Sequence, residues 1–386
     1  MKVTILTPDV SQNGLGRADC LARILQPRFQ VTIVGPQFGD GVWAPLRDHA
    51  AAPVTGIPMA RTGLRAPAEA WRTLRKSLDG DLLYVSKPFA TSLWNARKAA
   101  DGRPVAVDID DWEWGSFREW WAAARPGERL REARAGLSSL HHRRLWNAYL
   151  GDRWVKRFPL RTVSNETLRR RFGGLLVPHA RDTNAFDPSR FDGAAERRRL
   201  GLDDGRTLVM FLGTPRPFKG LETLAEAVGR TPSCTLAIIG RDDSPAGRRF
   251  QAQLETLASD RVRFLPAQPF SDAPRTLAAA DIVAIPQAAG DATQAQIPAK
   301  LFDAMAMAKP IVASAVSDLP TWLDGCGIVT PPGDTSVLAD ALASLVRDPS
   351  LRQRLGEAAR RRCIADASLP AARKVLLPLL ESALRS

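Results

Sequence analysis

The sequence predicts an α/β protein built from two doubly wound parallel-sheet domains. Three observations carry this. The chain has 386 residues, long enough for two domains. Short apolar runs alternate with helical segments in two series, one from Lys2 and one from Leu208. The stretch Gly290 to Leu319 (GDATQAQIPAKLFDAMAMAKPIVASAVSDL) reads as a loop, a helix and a buried strand, the unit from which such sheets are wound.

In chain order, Lys2 to Leu6 is a buried strand, SQNGLGR (Ser11 to Arg17) a loop, and a helix follows through Leu21, Ile24 and Leu25. Val31 to Gly35 is the next strand. Gly14 and Gly16 would let the backbone approach a ligand closely. Asp81 to Lys87 is a further strand, and Val105 to Ile109 another. At the carboxyl end of the latter, where ligands bind in open α/β sheets, Asp108, Asp110 and Asp111 cluster. One reading is a D-x-D metal site. A second gives Asp110 a role facing a ligand cleft. A third has the aspartates cap the next helix and pair with nearby arginines.

Trp112 to Arg157 holds six of the ten tryptophans and ten Lys/Arg against five Asp/Glu. It reads either as a basic amphipathic surface for lipid headgroups or as surface helices whose tryptophans are core. The boundary between the domains falls near Pro178, giving 1–178 and 179–369.

The second series starts with the strand Leu208 to Gly213. TPRPFKG then leads into a helix from Leu221, with Arg216 and Lys219 as two cations that can hold a diphosphate. Leu236 to Gly240, Val262 to Pro266 and Asp281 to Pro286 are three more strands. After the polar loop Gly290 to Ile297, Pro298 suits a helix start and Ala299 to Ala308 forms the helix. Its apolar positions are Leu301, Phe302, Met305 and Ala306. Its amino end offers N–H groups to an anion. Lys300 adds a positive charge there, and Asp303 a carboxylate able to hold a sugar diol. An amphipathic tail follows, and the segment 370–386 crosses back onto the first domain.

Hydrophobic content of 45% and charged content of 25% are those of a globular protein. No run of eighteen apolar residues occurs, and the first apolar run is a strand rather than a signal peptide. The four cysteines lack metal or disulfide spacing, which predicts a reduced, cytoplasmic protein. The net charge is +13, and all but nine of the 54 basic residues are arginine. That charge points either to a base-composition bias or to attraction toward an anionic membrane or nucleotide-linked substrate. No nucleic-acid motif accompanies it.

PAKLFDAMAMAKPIVAS (Pro298 to Ser314) resembles the donor-binding signature of retaining glycosyltransferases of family 4, the glycosyl transferases group 1. The resemblance covers nearly the whole chain and is weak through Pro45 to Gly80. It implies the GT-B fold, two Rossmann-like domains facing a central cleft. It implies transfer of a sugar, with retention, from a nucleotide-diphosphate sugar on the C-terminal domain. The acceptor, a glycan, lipid-linked glycan or small molecule, would lie on the N-terminal domain, as in polysaccharide biosynthesis. Neither a metal nor a cofactor is implied, which disfavours the D-x-D reading. Catalytic roles fall to Arg216, Lys219, Asp110 and Asp111. Donor binding falls to Gly14, Gly16, Gly213 and Gly240, and to Gln296, Pro298, Ala299, Lys300, Leu301 and Asp303.

Three departures stand out. The family's paired glutamates become Ala295 and Asp303, its arginine after the first strand of the second domain becomes Thr214, and a glycine at the crossing becomes Ala180. With Ala295 flanked by Gln294 and Gln296, the donor sugar is expected to differ from plain glucose. Alternatives are a sugar-nucleotide epimerase or hydrolase on this fold, and a non-catalytic lipid- or partner-binding protein. The expected location is the cytoplasm, with peripheral attachment to the membrane's cytoplasmic face as an option.

Overall fold

The computed structural model describes residues 1–60, 67–139, 141–258 and 261–385. The chain divides into two units, Met1–Ala180 with Leu369–Ser386, and Arg181–Ser368.

The first unit holds a seven-stranded parallel sheet. Its strands are β1 (Lys2–Leu6), β2 (Gln30–Gln37), β3 (Val54–Pro58), β4 (Leu82–Ser86), β5 (Val105–Ile109), β6 (Leu160–Val163) and β7 (Leu175–Leu176). Their order is β3-β2-β1-β4-β5-β6-β7. In register, Val3 of β1 lies beside Val31 of β2 and Leu82 of β4. Helices cover both faces, so central strands read as continuous apolar runs; every residue of LLYVS in β4 is buried. The order reverses between β1 and β4, which opens a crevice at their carboxyl ends.

Among the elements that the sequence did not show are β3 and the helix Pro67–Lys76. Another difference concerns the glycine loop. The first helix spans Leu15–Leu25 with Gly14 as its N-cap, so Gly16 and Arg17 belong to the helix. The loop is therefore shorter than expected, and Arg17 in the first turn points into the core. Its guanidinium grips Asp108 with two bonds of 2.8 Å. It also donates to the carbonyls of Val177 and Pro178, at 2.8 and 3.1 Å. Thr162 donates to the same carboxylate at 2.6 Å. Both charged side chains are buried. Burial would lower the Arg17 pKa, but the charge and hydrogen bonds of Asp108 outweigh it and hold the pKa above its ordinary value. Asp108 is thus a structural residue and leaves the acidic cluster.

The segment from Trp112 folds as three helices, Glu113–Ala123, Pro126–Ser138 and Leu145–Trp154. Its tryptophans are mostly half-buried. Trp112 donates from Nε1 to Asp152 at 2.7 Å, with the Arg171 guanidinium 4.0 Å from its ring. Trp114 meets Tyr149 edge-on at 5.1 Å. Trp120 is exposed. Leu369–Ala383 packs on the first helix, where Arg373 donates to the carbonyls of Arg23 and Ile24.

The second unit holds six parallel strands. They are β8 (Thr207–Leu212), β9 (Cys234–Ile239), β10 (Val262–Leu265), β11 (Ile282–Ile285), β12 (Ile311–Ser314) and β13 (Ile328–Thr330). Their order is β10-β9-β8-β11-β12-β13, with the reversal between β8 and β11. The pleat sorts β8 residue by residue. Leu208 and Met210 pack on one face with Leu301 and Phe302, while Val209 and Phe211 pack on the other with Leu221 and Leu224.

Arginines serve as carbonyl clamps in both units. Arg103 binds the carbonyls of Gly80, Ala99 and Ala100. Arg360 binds those of Thr183, Phe186 and Ala306. The forked guanidinium satisfies several carbonyls at once, which an ammonium does less well.

Arg17→Ala strands a buried carboxylate and is expected to cost about 3–5 kcal/mol in urea unfolding. Arg17→Met combined with Asp108→Leu should recover most of that loss, because no charge is then left buried alone.

Candidate functional site

Each unit carries a polar cluster at the carboxyl edge of its sheet, at the reversal of strand order. In the second unit it begins with Gly213, directly after β8, where φ is +122°. A Cβ there would stand 3.0 Å from the Lys300 ammonium. That ammonium lies 3.8 Å from the centre of the Phe211 ring. Lys219 ends a short 3-10 turn, Pro217–Lys219, followed by Gly220 at φ +66°. A Cβ on Gly220 would overlap the Pro286 carbonyl oxygen at 1.8 Å, so only glycine lets this turn close over the end of β11. Burial pushes the Lys300 pKa well below the ordinary lysine value, and the charge of Lys219 lowers it further, against the pull of Asp303. Two lysines sharing a field at this sheet edge are candidates to hold an anion, which would favour the charged form of Lys300.

Gln287, two residues past β11, is 1% exposed. Neither its amide oxygen nor its amide nitrogen has a hydrogen-bond partner among the described residues. An unmade buried hydrogen bond costs about 1–3 kcal/mol, which makes this amide a candidate to bond a ligand or an ordered water. Sequence reading missed it, since it falls between the strand ending at Pro286 and the polar loop from Gly290.

Asp303 is buried and bound by the Arg181 guanidinium, which also donates to the Ala299 carbonyl at 3.1 Å. The carboxylate is therefore not the bare acceptor the sequence suggested. Its partner lies 122 residues away in sequence. Arg216 reaches Asp242 at 2.9 Å and is 52% exposed, on the rim rather than over Gly213. Pro298 is the N-cap of a helix Ala299–Ala306, two residues shorter than expected, and a short helix Asp291–Gln294 interrupts the preceding loop. Lys300 and Ala299 occupy its first turn. Gln294 accepts a bond from the Ser317 amide at 2.8 Å, Gln296 is half-buried and Ala295 is buried.

Two expected ligand positions have other work. The Leu301 side chain is in the core and its N–H bonds the Pro298 carbonyl at 3.0 Å. At Gly240, φ is +128° and a Cβ would stand 2.7 Å from the Gly213 carbonyl carbon. That glycine brings the ends of β8 and β9 together.

In the first unit the cluster centres on Lys87, directly after β4, at φ +71°. Its ammonium lies 3.0 Å from Asp110 and 2.9 Å from Glu113, and it also bonds Asp111. Its aliphatic stem runs past Gly14, 3.7 Å from where a Cβ would stand. Gly16, inside the helix, faces Trp43. No side chain caps the helix Glu113–Ala123; Asp110 and Asp111 pair with Lys87, and of the three aspartates it is Asp108 that takes an arginine, Arg17. Lys87 was missed because its sequence context shows only a strand end. Burial would lower the Lys87 pKa, yet the charges of Asp110, Asp111 and Glu113 hold it well above the ordinary value. For Asp110, burial is the largest influence. With repulsion from Asp111 and Asp108, it outweighs the attraction of Lys87 and raises the pKa to about 7.

These two doubly wound parallel sheets, each with a polar cluster at its point of strand reversal, define a GT-B chain. Residues 206–348, within the second unit, match the family model described as glycosyl transferases group 1. Among curated proteins, the chain is 33% identical over 193 residues to a D-inositol 3-phosphate glycosyltransferase of Nocardia farcinica. That match covers 47% of this chain and 41% of the relative. A Corynebacterium jeikeium protein of the same name is 33% identical over 196 residues, covering 47% and 45%. The chain thus matches less than half the length of these relatives. Anabaena HepE, solved in complex with UDP-glucose, superposes with a TM-score of 0.77 at 20% identity, covering 99% of this chain and 100% of that one. Sucrose-phosphate synthase from Thermosynechococcus elongatus gives 0.76 at 17% identity, covering 100% and 99%.

The raised Asp110 pKa has a consequence for stability. The folded chain holds this proton more tightly than the unfolded chain does. The associated stability is full below the ordinary value of 3.8 and is lost as pH rises to about 7. Asp110→Asn should flatten this slope in urea unfolding measured from pH 4 to 8, and be the more stable protein at the upper end.

Proposed function

We propose that the protein transfers a sugar from a nucleotide-diphosphate sugar to an acceptor hydroxyl, with retention of configuration. The observation that carries this is the set of Lys219, Lys300 and the unsatisfied Gln287 at the strand reversal of the second unit. In the transfer, the bond between sugar C1 and the diphosphate oxygen breaks, and one from C1 to the acceptor oxygen forms. Negative charge grows on the diphosphate as the sugar gains oxocarbenium character. Lys300, beside Gly213, and Lys219, whose charge it feels, stabilise that charge. Arg216 contributes from the rim, exchanging Asp242 for the diphosphate. Asp303, fixed by Arg181, bonds the nucleotide ribose, and Gln287 supplies the donor and acceptor groups of its amide.

The first unit binds the acceptor. Asp110, with its pKa near 7, can take up the acceptor hydroxyl's proton, while Lys87 keeps Asp111 and Glu113 in place. The names of the relatives support a UDP-linked donor, HepE having been crystallised with UDP-glucose. The acceptor's proton passes to Asp110 and on to solvent, and the diphosphate leaves as an anion held by Lys219 and Lys300.

A panel of nucleotide sugars, with nucleotide release measured with and without acceptors, tests the reading. Acceptor-dependent release supports transfer; full release without acceptor marks an epimerase or hydrolase instead. Lys219→Ala and Lys300→Ala should each lower turnover by roughly 10²–10³, the scale for one preorganised charge-stabilising donor. Because the Lys300 pKa is depressed, binding UDP should raise it and draw in a proton. Calorimetry at several pH values below the ordinary lysine pKa, in buffers of different ionisation enthalpy, should show that uptake, and Lys300→Met should abolish it.

The helices between Trp112 and Arg157 are the surface we assign to an anionic membrane face. Exposed Trp120 and Leu130 lie among exposed Arg125, Arg131 and Arg134 there. No helix among the described residues is long and apolar enough to cross a membrane. Half-burial of the other tryptophans confines insertion to Trp120. Flotation should recover the protein with anionic vesicles at low salt and not with neutral ones, and Trp120→Ala should reduce the recovery.

A further inference from the structure

We propose that the first unit carries a binding site for one divalent transition-metal ion of the Zn²⁺ type, formed by Asp9, His141 and His142. Asp9 lies three residues beyond β1, at the carboxyl edge of the sheet, and is wholly buried. Its two oxygens are treated very differently. Oδ1 accepts from the Ser11 amide at 2.9 Å, the Ser11 hydroxyl at 2.6 Å and the Phe38 amide at 3.4 Å. Oδ2 is buried and has no hydrogen-bond partner among the described residues. A carboxylate oxygen left dry without a partner loses its full hydration, so the position calls for a cation.

The group facing it supplies ligands for one. His141 and His142 come from the connector between the helices Pro126–Ser138 and Leu145–Trp154. Their rings stack with centroids 4.4 Å apart and planes 27° apart. One nitrogen from each ring and one Asp9 carboxylate oxygen all lie within 4.8 Å of one another. Ligands at about 2.0–2.2 Å from a common zinc stand about 3–3.5 Å apart, so a small closure of the connector completes the coordination. Phe38 packs on His141 at 4.5 Å and Phe89 on His142 at 5.3 Å. These apolar walls keep the imidazoles in place and exclude competing water.

Ligand chemistry sets the ion. Two imidazoles and one carboxylate suit Zn²⁺ and its first-row neighbours, whereas Mg²⁺ and Ca²⁺ take oxygen ligands. Three protein ligands leave a fourth position open for a further ligand. Bound metal would tie the connector to the end of β1.

The test uses the full chain, stripped with chelator and titrated calorimetrically with Zn²⁺ and separately with Mg²⁺. One Zn²⁺ per chain and no comparable Mg²⁺ binding is expected, with a rise in melting temperature on adding Zn²⁺. Asp9→Asn, His141→Gln and His142→Gln should each weaken Zn²⁺ binding at least about tenfold. His49→Gln, which alters an exposed imidazole elsewhere, should leave it unchanged. Should a variant fold poorly, Co²⁺ added to the unaltered protein gives a second readout, the visible absorption of a low-coordinate nitrogen-ligated ion. Absence of Zn²⁺ binding, equal Mg²⁺ binding, or unaltered binding in the three variants would overturn the site and leave an imidazolium–carboxylate pair.

Discussion

The bond between Arg17 and Asp108 fixes what the first unit can place at its sheet edge. One guanidinium joins the first turn of the first helix, the carboxylate on β5 and two carbonyls after β7. Asp108 is thereby neutralised below the surface, together with Thr162 and, through it, Tyr84. Only after that carboxylate is removed from play does the remaining cluster make sense. Lys87 then faces Asp110, Asp111 and Glu113, an excess of negative charge that one lysine does not cancel. A proton shared with that cluster near neutrality is the result.

The two clusters are electrostatic opposites. At the first reversal of strand order one ammonium sits among carboxylates; at the second, the Lys300 ammonium sits by Gly213 and over the Phe211 ring, in the field of Lys219. Burial, aided by neighbouring like charge, raises the Asp110 pKa in the first cluster and lowers the Lys300 pKa in the second. In the proposed transfer, that opposition matches the needs of the two partners: a hydroxyl that must lose a proton, and a diphosphate that gains charge as it leaves.

Much of this was legible in the sequence, and the reasons differ by residue. Strand β5 has the same bounds in sequence and structure, because VAVDI is an unbroken β-prone run between Pro104 and the acidic turn. The Pro298–Ser314 signature located the second cluster, since spacing along one helix is local information. Strand β3 was hidden: VTGIP is short, and its glycine and proline dilute the pattern. Lys87 and Gln287 were missed because their roles depend on strand order, which juxtaposes residues far apart in the chain. Asp303 was found but its partner Arg181 was not, since a pairing across 122 residues leaves no local trace. Gly16 was misplaced by assuming that a glycine pair stays in a loop, although the helix starts at Leu15.

The carbonyl clamps change how the basic composition should be understood. Where Arg103 and Arg360 each close several main-chain acceptors, the fork replaces the caps that a glycine or a side-chain hydroxyl would otherwise supply. Such positions cannot be recoded to lysine without opening a segment's end, even though formal charge is conserved. A codon-level drift from arginine to lysine would therefore be tolerated on the helices around Trp120 and resisted at these internal clamps. The net charge of +13 mixes two populations, one free to vary and one bound into the architecture.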